Sequence, residues 1–71
     1  MKAINKKIAL IRSRKSKNGT FTMTVNAGAL GTGRLIEKAI YWPEYPRSEQ
    51  VSFELCRNRA IEEGFEWALY E

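Results

Sequence analysis

The stretch Asn18-Gly19-Thr20-Phe21-Thr22-Met23-Thr24-Val25 combines a turn signal with a strand pattern. The Asn18-Gly19 pair is typical of a tight β-hairpin turn, because both residues tolerate a positive φ angle. The residues after the turn alternate between polar and apolar, and their β-branched threonines and valine favour a half-buried strand. We therefore expect a β-hairpin in the N-terminal third of the chain.

The register of this hairpin determines where the arginines of its first strand point. A two-residue turn would place Arg12 and Arg14 on the apolar face of the second strand, where burying a charge is costly. A three-residue loop, Lys17-Asn18-Gly19 with its glycine in the left-handed conformation, pairs Ile11 with Val25 instead. We favour this second register because it keeps both arginines off the buried face.

The favoured register also sorts the remaining hairpin residues between the two faces. Ser13 then lies opposite Met23 on the apolar face. The other face collects polar side chains, namely Arg12, Arg14, Thr20, Thr22 and Thr24. Ile8 and Leu10 fall on this same polar face, so we expect a bulge or a covering element near them.

The middle of the chain is less sharply patterned. Residues 28–33 form a glycine-rich connector, and the segment 34–42 fits either one helical face or a strand. We favour a strand, because Ile36, Ile40 and Trp42 suit a sheet. Pro43 and Pro46 then interrupt any regular element, since proline fixes φ and lacks a backbone donor.

The last third of the sequence supports two interpretations. In the first, Ser48 caps a helix that runs to residue 63, Gly64 ends it, and residues 65–70 form a strand. In the second, residues 51–55 form a strand and Asn58 caps a helix over 58–70 with a cleaner apolar stripe. We favour the first, because the second places Gly64 inside a helix at a cost of about 1 kcal/mol.

These elements predict one small α+β domain over residues 1–71. We expect an antiparallel sheet of three to four strands, built on the N-terminal hairpin or meander, packed on one helix in the C-terminal third. Cys56 is expected to be a small buried apolar residue, and Trp42 and Trp67 are expected to complete the core.

Charge is distributed unevenly along the chain. Seven of the first 20 residues are basic and none is acidic, whereas the last 24 carry six glutamates and two arginines. Basic side chains beside hydroxyl groups are typical of surfaces that bind phosphates, so the hairpin predicts a nucleic-acid partner, DNA or RNA, bound with little sequence selectivity. The same charges would also suit a solvated hairpin edge. The candidate contact residues are Arg12, Arg14, Lys15, Lys17, Thr20, Thr22 and Arg34.

Aromatic residues and the acidic C-terminal region suggest further partners. Tyr41, Trp42 and Tyr45 are candidates for stacking against bases. The alternative function is a small regulator or inhibitor that binds another protein, since exposed aromatics dominate many interfaces. The complementary charges of the two ends also make a homodimer possible.

The composition argues against several other classes of protein. Without histidine, and with no nucleophile next to a recognisable base, we expect no enzyme. The single cysteine and the glycine run match neither a metal site nor a phosphate-binding loop, so we expect no metal and no cofactor. The apolar stretch after the basic N-terminus is too short for a signal peptide or membrane span, which predicts a cytoplasmic protein without a membrane partner.

Overall fold

Four strands and one helix make up the fold in the computed structural model, which describes residues 7–28 and 30–70. In chain order the elements are β1 (Lys7–Lys15), β2 (Phe21–Ala27), β3 (Leu35–Tyr41), α1 (Pro46–Glu62) and β4 (Phe65–Leu69). The strands form a single sheet with the order β3-β2-β1-β4. The expected α+β class, with a sheet packed on a helix, is confirmed.

The direction of β4 differs from the expectation of a purely antiparallel sheet. Strands β1, β2 and β3 are antiparallel neighbours, but β4 pairs with β1 in parallel, so the sheet is mixed. β4 can run parallel to β1 because helix α1 carries the chain back across the sheet before β4 begins. A helix of 17 residues is about 25 Å long, close to the length of a seven-residue strand. It therefore returns the chain to the end of the sheet where β1 begins.

The hairpin between β1 and β2 has the favoured register. Ile11 pairs with Val25 and Ser13 pairs with Met23. The backbone N–H of Ser16 donates to the carbonyl of Thr20 at 2.8 Å, which closes the three-residue loop. Inside that loop Gly19 has a φ of +89°, as the expected left-handed glycine requires.

The connector between β2 and β3 supplies the covering element expected near Leu10. Ile8 and Leu10 lie on the sheet face away from the helix, and the backbone N–H of Gly28 donates to the Ile8 carbonyl at 2.7 Å. A methyl group placed on Gly31 would lie 3.3 Å from Leu10 Cδ1, so this loop rests directly on the Leu10 side chain. The register also shifts between Val25 and Asn26, where β3 contains a bulge.

The C-terminal third follows the first of the two interpretations, with one correction. Helix α1 is followed by Gly64, with a φ of +86°, and then by β4. The expected N-cap at Ser48 is wrong, because Tyr45 is the N-cap residue and Pro46 opens the helix. Proline is favoured in the first turn since its missing N–H would have no helical partner there. The Ser48 hydroxyl instead accepts a hydrogen bond from the backbone N–H of Trp42 at 3.2 Å.

The second interpretation of this region is wrong throughout. Residues 51–55 belong to α1 rather than to a strand, and Asn58 lies inside the same helix. The apolar stripe that suggested a terminal helix is divided between the end of α1 and β4. Gly64 therefore follows the end of α1 and does not lie inside a helix.

The core lies between α1 and one face of the sheet. Small residues of the helix, Ser52, Cys56 and Ala60, are buried and let its backbone approach the sheet closely. The buried apolar residues are Ala9, Ile11, Met23, Val25, Ile36, Tyr41, Cys56 and Ala60. Cys56 is thus buried as expected. Trp42 and Trp67 do not complete the core, since they remain 48% and 38% exposed.

Candidate nucleic-acid interface

The sheet face away from α1, here called the open face, carries the arginines of β1. Side chains alternate along a strand, so residues of β1 next to the buried Ile11 point to the opposite side. Arg12 pairs with Thr24 and Arg14 pairs with Thr22, which places these four polar residues together. The expected grouping of both arginines with the threonines of β2 is confirmed.

A recess of about 470 Å³, here called the basic groove, lies on the open face. Its lining includes three cations, two hydroxyl groups and one amide. The lining residues are Arg12, Arg14, Thr22, Thr24, Asn26, Gly31, Leu35 and Lys38. No carboxylate belongs to this lining in the described part of the chain, so its fixed charge is positive.

Lys38 is a groove residue that the sequence analysis missed. It lies on β3 directly opposite Thr24, which is itself opposite Arg12, so the three side chains form a row across three strands. The alternation of polar and apolar residues in β2 does not show which residue of β3 lies beside Thr24. The register of β3 would have revealed it, but the bulge between β2 and β3 prevents simple counting through the connector.

The glycine-rich connector forms one wall of the groove. A methyl group placed on Gly31 would lie 3.6 Å from Arg12 Nη2, which puts the loop backbone beside this guanidinium. The side-chain amide of Asn26 donates to the Gly33 carbonyl at 3.2 Å and ties the loop to β2. The groove is therefore bounded by backbone atoms of this loop as well as by side chains.

Arg12 is held in place by an aromatic ring. Its guanidinium carbon lies 4.0 Å from the centroid of the Tyr70 ring, a favourable cation–π geometry. Tyr70 follows β4, and its backbone N–H donates to the Ile11 carbonyl at 2.9 Å. Tyr70 is 47% exposed and is not part of the basic groove lining; it lines a second recess with Phe53 and Leu69, so Arg12 is the residue that joins the stacked pair to the basic groove.

The remaining predicted cations lie outside the basic groove. Lys15 pairs with Phe21 and, by alternation, shares the helix side of β1, while Lys17 is exposed in the loop. Arg34 lies elsewhere again, where its Nη2 donates to Glu63 Oε1. The structure therefore separates these three residues from the Arg12–Arg14–Lys38 cluster.

Thr20 and Tyr41 require correction as contact residues. Thr20 is only 3% exposed, and its hydroxyl donates to Asn18 Oδ1 at 2.7 Å within the hairpin loop. Tyr41 is 4% exposed and stacks on Phe21 with ring centroids 5.5 Å apart. Neither side chain is accessible to a ligand, because both complete the hairpin tip and the core.

Trp42 and Tyr45 are exposed, as a role in stacking requires. They lie in the turn between β3 and α1, where the backbone N–H of Tyr45 donates to the Trp42 carbonyl at 3.0 Å. Neither residue lines the basic groove. Their contact with bases stays a prediction.

The acidic residues near the end of α1 are engaged within the chain. Arg59 forms ion pairs with Glu37 at 3.2 Å, Glu62 at 2.7 Å and Glu63 at 3.3 Å. The hydrogen bond from Arg34, together with the charges of Arg34 and Arg59, lowers the pKa of the Glu63 carboxyl. This cluster ties α1 to β3 and to the connector, on the side of the sheet opposite the basic groove.

Cys56 has no exposed surface and is not poised as a nucleophile. Burial, with a smaller contribution from the negative charge of Glu37, raises the pKa of its thiol to about 11. The sulfur lies 3.7 Å from the Met23 carbonyl oxygen. The thiol is therefore a packing group between α1 and β2.

Comparisons with protein-family models, curated proteins and solved structures gave no significant match. The one helix of the described chain is too short and too polar to cross a bilayer. Within residues 7–28 and 30–70, no group of three or more acidic or sulfur side chains is arranged to hold a metal ion.

Proposed function

We propose that this protein binds nucleic acid through the basic groove, with little sequence selectivity. The observation that carries this proposal is the presence of three cations, Arg12, Arg14 and Lys38, in a recess whose described lining contains no carboxylate. Arg12 and Arg14 share one face of β1, and Lys38 lies two strands away, about 10 Å across the sheet from Arg12. A phosphate ligand would relieve their mutual repulsion and release condensed counterions.

The other groove residues suit the same ligand. The hydroxyl of Thr24 and the second amide hydrogen of Asn26 can donate to phosphate oxygens, whereas the Thr22 hydroxyl already shares a hydrogen bond with Ser16 at 3.1 Å. Lys17, which is exposed in the hairpin loop, adds positive charge at the tip outside the groove. Contacts of this kind fix a nucleic-acid backbone in place without reading its bases, which is why we expect weak selectivity.

The salt dependence of binding tests the proposal. Fluorescence anisotropy with a short labelled oligonucleotide would be measured for the natural chain and for the double variant Arg14→Gln/Lys38→Gln. Losing two phosphate contacts should lower the slope of log K against log salt by about 1.4 for a single strand and about 1.8 for a duplex. The matched control is Arg47→Gln/Arg57→Gln, which removes the same charge from α1.

Two results would contradict the proposal. One is the absence of binding at low salt. The other is an equal loss of affinity and slope in the groove variant and in the α1 control, which would attribute binding to net charge alone. Circular dichroism of both variants shows whether the fold is intact.

A second candidate function is binding of another protein, as a small regulator or inhibitor. The observation that favours it is a second groove of about 720 Å³ between α1 and the other face of the sheet. Its lining includes Ile11, Phe53 and Leu69, with the carboxylate of Glu49 among them. This surface fits an apolar segment that carries a basic residue.

The variant Leu69→Glu tests this second candidate. Leu69 is 57% exposed, so a charge there should be tolerated by the fold while it blocks an apolar ligand. A partner recovered from the native host after nuclease treatment, and lost with this variant, would support protein binding. Partners that disappear on nuclease treatment would instead favour the nucleic-acid function.

A further inference from the structure

The hairpin is not a free two-stranded ribbon. Strand β3 pairs with β2 along its length, up to the contact between Tyr41 and Phe21, and Phe21 is also the partner of Lys15 at the end of β1. Three strands therefore reach the tip together, and only the short loop after Lys15 projects beyond them.

This width conflicts with insertion into duplex DNA. The axes of the outer two of three strands are about 10 Å apart, and their backbone and side-chain atoms add to that width. The major groove is about 12 Å wide and admits a helix or a two-stranded ribbon. Binding of the sheet in a duplex groove would therefore require that groove to widen, and such deformation costs free energy.

A flexible single strand matches the recess better. The floor of the basic groove is formed by Thr22, Thr24 and Asn26, which are only partly exposed. An unpaired chain can bend its phosphates towards these donors, whereas the phosphates of a duplex stay on its convex surface. The position of the donors therefore favours a ligand that is free to follow the recess.

The Arg12–Tyr70 pair adds a surface for unpaired bases. The guanidinium and the ring lie 4.0 Å apart at one edge of the open face, and the tyrosine is about half exposed. Both groups stack on nucleobases, and such stacking needs a base that is not paired inside a duplex. Arg12 therefore belongs both to the cations that would bind phosphates and to the stacked pair that would contact a base.

We infer that the basic groove takes single-stranded nucleic acid in preference to duplex, with an unpaired base stacked on the Arg12–Tyr70 pair. This inference rests on the proposed function, that the groove binds nucleic acid at all. It adds the class of nucleic acid and a residue, Tyr70, that stacks on it.

The test compares three ligands of the same length at one salt concentration: a single strand, its duplex, and a single strand with abasic sites in place of most bases. Each is measured with the natural chain and with Tyr70→Leu, Tyr70→Phe and Leu55→Ala. Leu55 is the matched control, because it is an exposed apolar residue of α1 that lines neither groove and for which no contact with nucleic acid is expected.

We expect the natural chain to prefer the single strand. Tyr70→Leu should weaken single-strand binding by about 5- to 150-fold, the range measured when one stacked base loses its aromatic partner. Tyr70→Phe should restore it, and the abasic strand should bind the natural chain and Tyr70→Leu alike. Leu55→Ala should leave all affinities unchanged.

The outcomes separate this inference from the proposed function. The inference would be overturned if the duplex bound as tightly as the single strand, or if Tyr70→Leu and Leu55→Ala had equal affinities for the single strand. In either case, salt-dependent binding would still support the proposed function. Absence of binding to every ligand at low salt would overturn both. The affinity of Tyr70→Phe distinguishes lost stacking from damage to the fold, since phenylalanine preserves the ring.

Discussion

Of the five glycines in the chain, Gly33 leaves the least room for a side chain. A methyl group placed there would overlap the carbonyl oxygen of Ala27 and lie 3.0 Å from its carbonyl carbon. The same two residues are joined by a hydrogen bond, in which the Gly33 N–H donates to the Ala27 carbonyl at 2.8 Å. The Ala27 N–H donates in turn to the Arg34 carbonyl at 2.9 Å. Gly33→Ala should therefore force β2 and the start of β3 apart.

The expected loss of stability is large for a domain of this size. Overpacking against backbone costs about 1–3 kcal/mol, and each disrupted hydrogen bond about 1 kcal/mol, so we expect roughly 3 kcal/mol in total. At about 0.05–0.15 kcal/mol per residue, the free energy of unfolding of the whole chain is about 4–11 kcal/mol. The substitution should lower the melting temperature by more than about 10 °C.

Gly19→Ala is the matched control. Gly19 has a φ of +89°, but a methyl group placed on it would have no atom within 4 Å, so alanine there meets backbone strain without a clash. That strain costs about 1–2 kcal/mol. Urea denaturation followed by circular dichroism would measure both variants. If Gly33→Ala were no less stable than Gly19→Ala, the close approach of the connector to β2 would be refuted.

Three further predictions concern titration, reactivity and association. Ion pairs hold the pKa of Glu63 below its ordinary value of 4.5, so they stabilise the fold above that pH and are lost as the pH falls through the folded-state pKa. The free energy of unfolding should therefore fall less steeply with acidification in Glu63→Gln than in the natural chain. An unchanged acid dependence would contradict this prediction. With a pKa of about 11, the Cys56 thiol should react with iodoacetamide at neutral pH more than about 100-fold slower than in urea, and equal rates would show that the site is open. Since Arg59 and Arg34 pair with glutamates of the same chain, added salt should lower the melting temperature equally at all protein concentrations; a melting temperature that rises with protein concentration would instead place charge contacts between two copies.

The basic groove was partly predictable. The turn at Asn18-Gly19 and the alternation after it were enough to set the register, and that register placed Arg12 and Arg14 beside Thr22. Local signals sufficed because a hairpin brings together residues that are close in sequence. Lys38 was not predictable in the same way, since it reaches the groove through a bulged pairing across a glycine-rich connector.

The role of Tyr70 was also invisible in the sequence. Its position beside Arg12 depends on the parallel pairing of β4 with β1, which joins the two ends of the described chain. Both Thr20 and Tyr41 were misassigned for a related reason. Their types suit ligand contact, but burial depends on what packs over them, and that is a property of the assembled sheet.

The sequence by itself determined the hairpin, its register and the glycine that ends the helix, because each follows from the backbone preferences of a few neighbouring residues. Only the tertiary structure decided the direction of β4, the position of both tryptophans outside the core, and the arrangement that brings three cations together and places Tyr70 beside Arg12. Those features depend on pairing between distant strands, where many arrangements satisfy the local preferences and packing against α1 selects among them.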